Sequence, residues 1–306
     1  MKALVVDPSA PFKVAPAEVP DPQPGPGQVL IEVQHTSLNA GELFVAGVSK
    51  PGAILGFDAS GVVAQAAADG TGPAVGARVV SFAQGAGWAQ LRAVDTADVA
   101  VVPDSVDLAE AATLPVAAGT ALRALWQAGP TLGMRVLVTG ASGGVGTFAV
   151  QLAKLGGAHV IASVGKPERG RQLPDLGADE VVVGLDGIDR PIDVVIDQVG
   201  GEQLVRAYSL LAPGGSVQSV GWSSGRPAVL PVGSTLGHRH PISLTSVYNG
   251  EGLNDRARQL QALLDLVAAN RLKPLIGWHG SWDRITEAAE ALTGRVLMGK
   301  AIIDVN

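Results

Sequence analysis

The residues best suited to chemistry form a glycine-rich run, Gly140-Ala141-Ser142-Gly143-Gly144-Val145-Gly146, whose glycines include the spacing G-x-x-G-x-x-G. Bare backbone there lets N–H groups at a helix start approach a pyrophosphate that side chains would hold away. Spacing alone is weak, because a glycine-rich turn also serves simply to pack a helix against a strand. The context adds specificity: Val136-Leu137-Val138-Thr139 leads in as a strand, while Val145, Phe148, Ala149, Leu152 and Leu155 share one helical face leading out. We read Gly143, Gly144 and Val145 as phosphate binders and Gly140 as the opening of the turn.

About 20 residues beyond the first glycine, an NAD-preferring domain places an acid at the end of its second strand to hold the ribose 2′-hydroxyl. Here the corresponding run is Ala162-Ser163-Val164-Gly165-Lys166-Pro167-Glu168-Arg169, with no acid at the strand end. Ser163, Lys166 and Arg169 offer a hydroxyl and two cations to a 2′-phosphate, which points to NADPH. The competing reading makes Lys166 and Arg169 a solvated helix start, and Glu168 would repel a phosphate if it faced the same site.

The elements that position these residues follow from pattern. Up to about residue 115, short β-branched runs alternate with Pro/Gly clusters, predicting a compact, partly barrel-like β lobe. Ala-rich helical segments follow over 108–114 and 117–128, ending at Gly129-Pro130. Strands are then expected over 136–139, 160–163, 180–183, 193–197, 216–221 and 242–247. Helices are expected over 144–155, 169–176 (weakly) and 202–211. Such alternation requires right-handed crossovers and a parallel sheet covered on both faces, a doubly wound nucleotide-binding domain of six strands. A helix over 255–269 and a returning strand over 295–304 complete the chain. The expected division is 1–117 with 257–306 for the β lobe and 118–256 for the nucleotide domain.

Composition removes whole classes of function. Cysteine is absent, which excludes disulfides, iron–sulfur clusters, thiolate catalysis and cysteine-ligated zinc. A net charge of −6 gives no basic surface for nucleic acid, so small molecules are the expected partners. The run 136–153 carries no charge, yet its glycines and hydroxyls suit strand–turn–helix better than a membrane span. Met1 to Pro8 reads as a first strand rather than a secretory signal, so a soluble, cytoplasmic protein is expected. Among the five histidines, His238-Arg239-His240 has the spacing of a metal pair, but no acid lies beside it and Arg239 opposes a cation. His35 reads as a satisfied strand histidine. Glu42 and Asp58 are expected in structural roles, and Arg295 and Lys300 either touch cofactor or substrate or form a solvated strand end. Trp222 is expected to cover the sheet or the cofactor edge.

The runs VLVTGASGGVGTFAVQLAKLGG, LGADEVV, DVVIDQVGG and LAPGGSVQSVG resemble the zinc-free quinone oxidoreductase branch of the medium-chain dehydrogenase/reductase superfamily. SLNAGELFVAG, ILGFDASGVV and MGKAIIDV are similar to motifs of that family's other lobe, so the likeness covers nearly the whole chain. It implies an α/β fold: a six-stranded doubly wound parallel (Rossmann) domain plus a mainly β, partly barrel-like (GroES-like) catalytic domain. Where zinc-dependent relatives hold their catalytic metal, this chain has Asn39, Phe57 and Val116, none a good zinc ligand. The resemblance also implies that Thr120, Val199, Gly221 and Ser246-Val247-Tyr248 line the nicotinamide end of the cofactor, with Asn39 near the reacting ring. It implies a homodimer through an edge strand, over 216–220 or 242–247.

With no metal ligands and no tyrosine in the first lobe, the expected chemistry is direct hydride transfer from NADPH to a quinone, whose product anion is stable enough to take its proton from water. The alternative is an enone or alkenal reductase of the same fold, an activated alkene being its substrate. A non-catalytic NADPH-binding redox sensor is a third reading.

Overall fold

The computed structural model describes residues 1–236, 240–250 and 252–305. The chain forms two compact units, Met1–Gly119 with Gly250–Asn306, and Thr120–Asn249. In chain order the first contains β1 (Lys2–Val6), β2 (Val14–Glu18), β3 (Gln28–Leu38), α1 (Ala40–Val48), β4 (Asp58–Gln65), β5 (Arg78–Phe82), β6 (Leu91–Asp95), β7 (Val99–Val101) and α2 (Leu108–Ala111). Next come α3 (Gly119–Ala128), β8 (Arg135–Val138), α4 (Gly144–Leu155), β9 (His159–Val164), β10 (Glu180–Val183), β11 (Ile192–Asp197), α5 (Gly201–Ser209), β12 (Leu211–Ser219) and β13 (Ser243–Ser246). The chain then re-enters the first unit as α6 (Arg256–Ala268), β14 (Ile276–Ser281), α7 (Ile285–Thr293) and β15 (Lys300–Asp304).

The second unit is a parallel sheet of six strands in the order β10-β9-β8-β11-β12-β13. Its order reverses between β8 and β11, and in such sheets ligands bind beyond the carboxyl ends of the strands at that point. Fully buried Leu137, Ile161, Val195 and Val217 pack beneath α5, whose Leu204 and Ala207 close that side of the core. Each such aliphatic side chain contributes about 1.5–3 kcal/mol by leaving water.

The first unit carries a mostly antiparallel sheet, β14-β15-β3-β4-β5-β7, with β6 also on β3 and a separate β1-β2 pair. Strand β15 lies between β14 and β3, so late residues complete a sheet begun by early ones. Arg256 at the start of α6 is wholly buried, its guanidinium 3.9 Å above the Phe82 ring and its Nε 3.3 Å from Asp98 Oδ1.

Several elements depart from the pattern-based expectation for identifiable reasons. The helix expected over 169–176 is two 3-10 turns, Pro167–Gly170 and Pro174–Leu176, because Pro174 supplies no N–H and crowds the preceding turn. Helix α1 stands where β structure was expected, since Glu42 Oε2 accepts the Asn39 N–H at 2.7 Å and stabilises a helix start there. Helices α2 and α3 are shorter than expected, separated by a wide π-type turn, Leu114–Ala118, with Pro115 near its start. The strand expected over 216–221 runs Leu211–Ser219, with a register irregularity against β11. The closing strand begins at Lys300 rather than 295, because Arg295 and Gly299 both take positive φ (56° and 73°). Residues 216–220 fall largely in β12, an inner strand, so of the two expected dimer edges only the β13 region lies at an edge of the sheet.

Candidate functional site

In the second unit, β8 runs directly into the glycine turn and α4 leaves it. Gly140 has φ +59°, a left-handed conformation that any side chain would strain. A Cβ on Gly146 would lie 2.4 Å from the Gly140 carbonyl oxygen and 2.7 Å from Ala141, so the third glycine permits the turn to fold against the helix. Gly143 is the N-cap, in extended conformation, with no side-chain cap on the helix start. Gly143, Gly144 and Val145 are partly exposed while Ala141 and Ser142 are buried. An uncapped helix N-terminus built from bare backbone, at the carboxyl edge where the strand order reverses, is what a dinucleotide pyrophosphate requires. The residues present fit that group.

Strand ends on either side bring in the other expected cofactor residues of this unit. Val199, just past β11, lies beside Gly140: a Cβ on that glycine would be 3.4 Å from Val199 Cγ2. The Gly221 N–H donates to the Asp197 carbonyl at 3.3 Å, and the Val247 N–H to the Ser219 carbonyl at 3.0 Å. Ser246 ends β13, its carbonyl accepting from Gln127 Nε2 at 3.1 Å, and Tyr248 beyond it is exposed. The Thr120 hydroxyl oxygen accepts from Asn249 Nδ2 at 3.0 Å, tying the start of the unit to its end. Trp222 packs on Gly200, where a Cβ would be 2.7 Å from its ring.

At the second strand end, the three residues assigned to a 2′-phosphate part company. Ser163 is fully buried; its hydroxyl donates to the Gly184 carbonyl at 2.9 Å and accepts from Gln203 Nε2 at 3.0 Å, so it is committed to the fold. Lys166 is exposed, and Arg169 is half-buried with its Nε donating to Ser142 Oγ, within the glycine turn, at 2.8 Å. Glu168 is exposed. Asp197, not singled out in the sequence, is the buried carboxylate of this region. It accepts from Thr139 Oγ1 at 2.6 Å and from the Gly200 N–H at 2.8 Å, and burial pushes its carboxyl above the usual range.

In the first unit, Asn39, Phe57 and Val116 converge on two buried carboxylates. Asp58 Oδ2 accepts from Asn39 Nδ2 at 2.8 Å and from the Ser37 hydroxyl, and Asp58 Oδ1 accepts from the Val116 N–H at 2.8 Å. Glu42 Oε1 accepts from the Phe57 N–H at 2.6 Å. Lys300 is buried and not a solvated strand end: its ammonium donates to the Leu38 carbonyl at 3.1 Å and to Asn39 Oδ1, and lies 3.6 Å from Asp58. Arg92, also buried, donates to the Phe57 and Ala83 carbonyls at 2.8 and 3.0 Å. Burial, with the Asp58 charge second, pushes the Glu42 carboxyl up to about 7. Burial lowers Lys300, and brings Arg92 down to about 10, still cationic near neutrality. Arg295 is exposed; His238 and Arg239 lie outside the described residues.

Residues 25–104 match the family described as the alcohol dehydrogenase GroES-like domain, and 144–269 the one described as zinc-binding dehydrogenase. The bovine (Bos taurus) quinone oxidoreductase-like protein 2 is 30% identical over 268 residues, covering 81% of this chain and 75% of the bovine protein. The chain belongs to the quinone oxidoreductase branch of the medium-chain dehydrogenase/reductase superfamily. Within that superfamily it is also similar to the tomato (Solanum lycopersicum) 2-methylene-furan-3-one reductase, 30% identical over 299 residues and covering 90% of this chain and 71% of the tomato one. The solved quinone oxidoreductase of Coxiella burnetii, 26% identical, superposes with TM-score 0.86 over 100% of this chain and 99% of that one. Other relatives are far longer: the chain spans only 7% of erythronolide synthase EryA2 of Saccharopolyspora erythraea, to which it is 33% identical over 270 residues and 83% of its own length. Among the described residues, no helix is long and apolar enough to cross a membrane.

Zinc, which the description of one matched family names, does not fit Asn39, Phe57 and Val116. Phe57 and Val116 offer no donor side chain, the Asn39 amide is held at both ends by Asp58 and Lys300, and the Lys300 ammonium opposes a cation at the same place.

Proposed function

We propose that this oxidoreductase uses NADPH to reduce a quinone-type acceptor by direct hydride transfer, without a catalytic metal. The observation that carries the reading is the Asn39–Asp58–Lys300 arrangement, built around Asn39, one of the three positions at which the family likeness would put a metal ligand. Lys300 on Oδ1 and Asp58 on Nδ2 fix which way the Asn39 amide faces. The second Nδ2 proton is then available to an acceptor carbonyl. Bound NADPH supplies the hydride. The glycine turn and uncapped α4 orient its phosphates, and the absence of an acid at the end of β9, with Lys166 and Arg169 nearby, supports the 2′-phosphorylated form. A quinone needs only modest help because its reduced anion is delocalised and takes its proton from water.

The second reading, reduction of an activated alkene conjugated to a carbonyl, is favoured by the likeness to the tomato reductase. It demands a proton for the α-carbon as well as a carbonyl anchor. We also infer a homodimer through the exposed edge strand β13.

The deciding experiment measures oxidation of NADPH and of NADH against a quinone panel and an enone panel, with and without a chelator. Quinone turnover with NADPH, insensitive to chelation, is expected. Turnover of enones alone replaces the quinone reading with the alkene one, and silence on both panels leaves cofactor binding without catalysis.

A further inference from the structure

Three side chains in the first unit converge without a part in the proposed reaction. His35 on β3, His279 on β14 and Asp304 on β15 come from adjacent strands. Asp304 pairs with His35 across the β15/β3 ladder, and His279 pairs with Ile302, two residues before Asp304, so the register sets all three on one face of the sheet. His35 Nδ1 lies 2.8 Å and His279 Nε2 2.7 Å from the same oxygen, Asp304 Oδ1. The potential ligand atoms all fall within 4.8 Å of one another, and the two rings meet edge-on with centroids 5.9 Å apart.

We propose that His35, His279 and Asp304 bind a divalent transition metal of the zinc, cobalt or nickel class, at a site separate from the Asn39 cluster. Two imidazoles and one carboxylate favour these ions over magnesium or calcium, and water completes the coordination. Tetrahedral binding at about 2.0–2.2 Å would set the ligand atoms roughly 3.3 Å apart. The side chains have room to rotate toward that spacing, since His279 is exposed and the other two are partly so. Four residues of strand, about 13 Å, separate His35 from Asn39. The ion would clamp β3, β14 and β15 together, and its consequence is greater stability of the first unit.

The test titrates EDTA-treated full-length protein with zinc chloride by calorimetry and with cobalt chloride by visible absorbance. One ion per chain is expected, with cobalt bands and a thermal midpoint that rises with zinc concentration. His279→Ala and Asp304→Asn should each weaken binding by at least the roughly 10–100-fold that even outer-shell losses cause. Both variants should keep the wild-type midpoint in EDTA to within a few degrees. His159→Ala, at a histidine paired with Glu180 at 2.6 Å in the other unit, should leave the titration unchanged. No binding at micromolar zinc, or binding that survives both His279→Ala and Asp304→Asn, overturns the proposal.

Discussion

Glu42 shows how far a single side chain can be moved from its ordinary chemistry. Its carboxyl is fully buried beside Asp58, and burial raises it from 4.5 to about 7. A group that holds its proton more tightly when folded loses stability as pH rises, here between about 4.5 and 7, because the unfolded chain releases the proton first. Glu42→Gln removes that titration, so the variant's stability relative to wild type should improve across this window and level off above it. Urea midpoints measured at intervals from pH 4 to 8 check it; a constant difference would show that Glu42 does not titrate there. Such residues were only partly legible in the sequence. Asn39 and Asp58 sat in readable motifs, but Lys300 could not be distinguished from a strand-end lysine, since its partners lie at 38, 39 and 58. Ser163 is the opposite case: a hydroxyl at a strand end reads as available in the sequence, whereas in the fold it bonds Gly184 and Gln203.

At the scale of elements, the glycine turn is the most specific demand the fold makes on sequence. Gly146→Ala would force its Cβ into the Gly140 carbonyl and Ala141, where neither neighbour is a flexible side chain. The expected cost is about 1–3 kcal/mol of overpacking, with dinucleotide affinity falling at least tenfold as the turn opens. Fluorescence titration and thermal unfolding measure both. Gly187→Ala, where a Cβ meets nothing within 4 Å, should change neither. Helix α4 and strand β10 match the expected bounds because apolar periodicity and glycine punctuation agree there. Elsewhere local geometry overrode pattern. Pro174 split a weak helix into turns, a carboxylate cap turned part of a β-rich lobe into α1, and a left-handed Gly299 delayed the closing strand.

At the scale of the molecule, the first unit depends on residues far apart in sequence, and Ile302, wholly buried in the inner strand β15, is a direct probe of that dependence. Ile302→Ala should cost about 2–5 kcal/mol, read from chemical unfolding. Dinucleotide affinity per folded molecule should stay near wild type, because the variant touches none of the glycine turn. The sequence pattern predicts the strand's return, but only strand order reveals that it enters between two other strands, β14 and β3. That placement has a consequence for synthesis. The second unit is one continuous stretch and can close on itself while the chain is still growing, whereas β3 must wait for β15, encoded after it. At roughly 5–20 residues per second, the ribosome delivers that neighbour several seconds after the second unit is complete. For those seconds β3 is unpaired over 35–38, the stretch that β6 leaves uncovered, so the usual N-to-C order of domain folding is reversed and a nascent chain is most exposed to mispairing there.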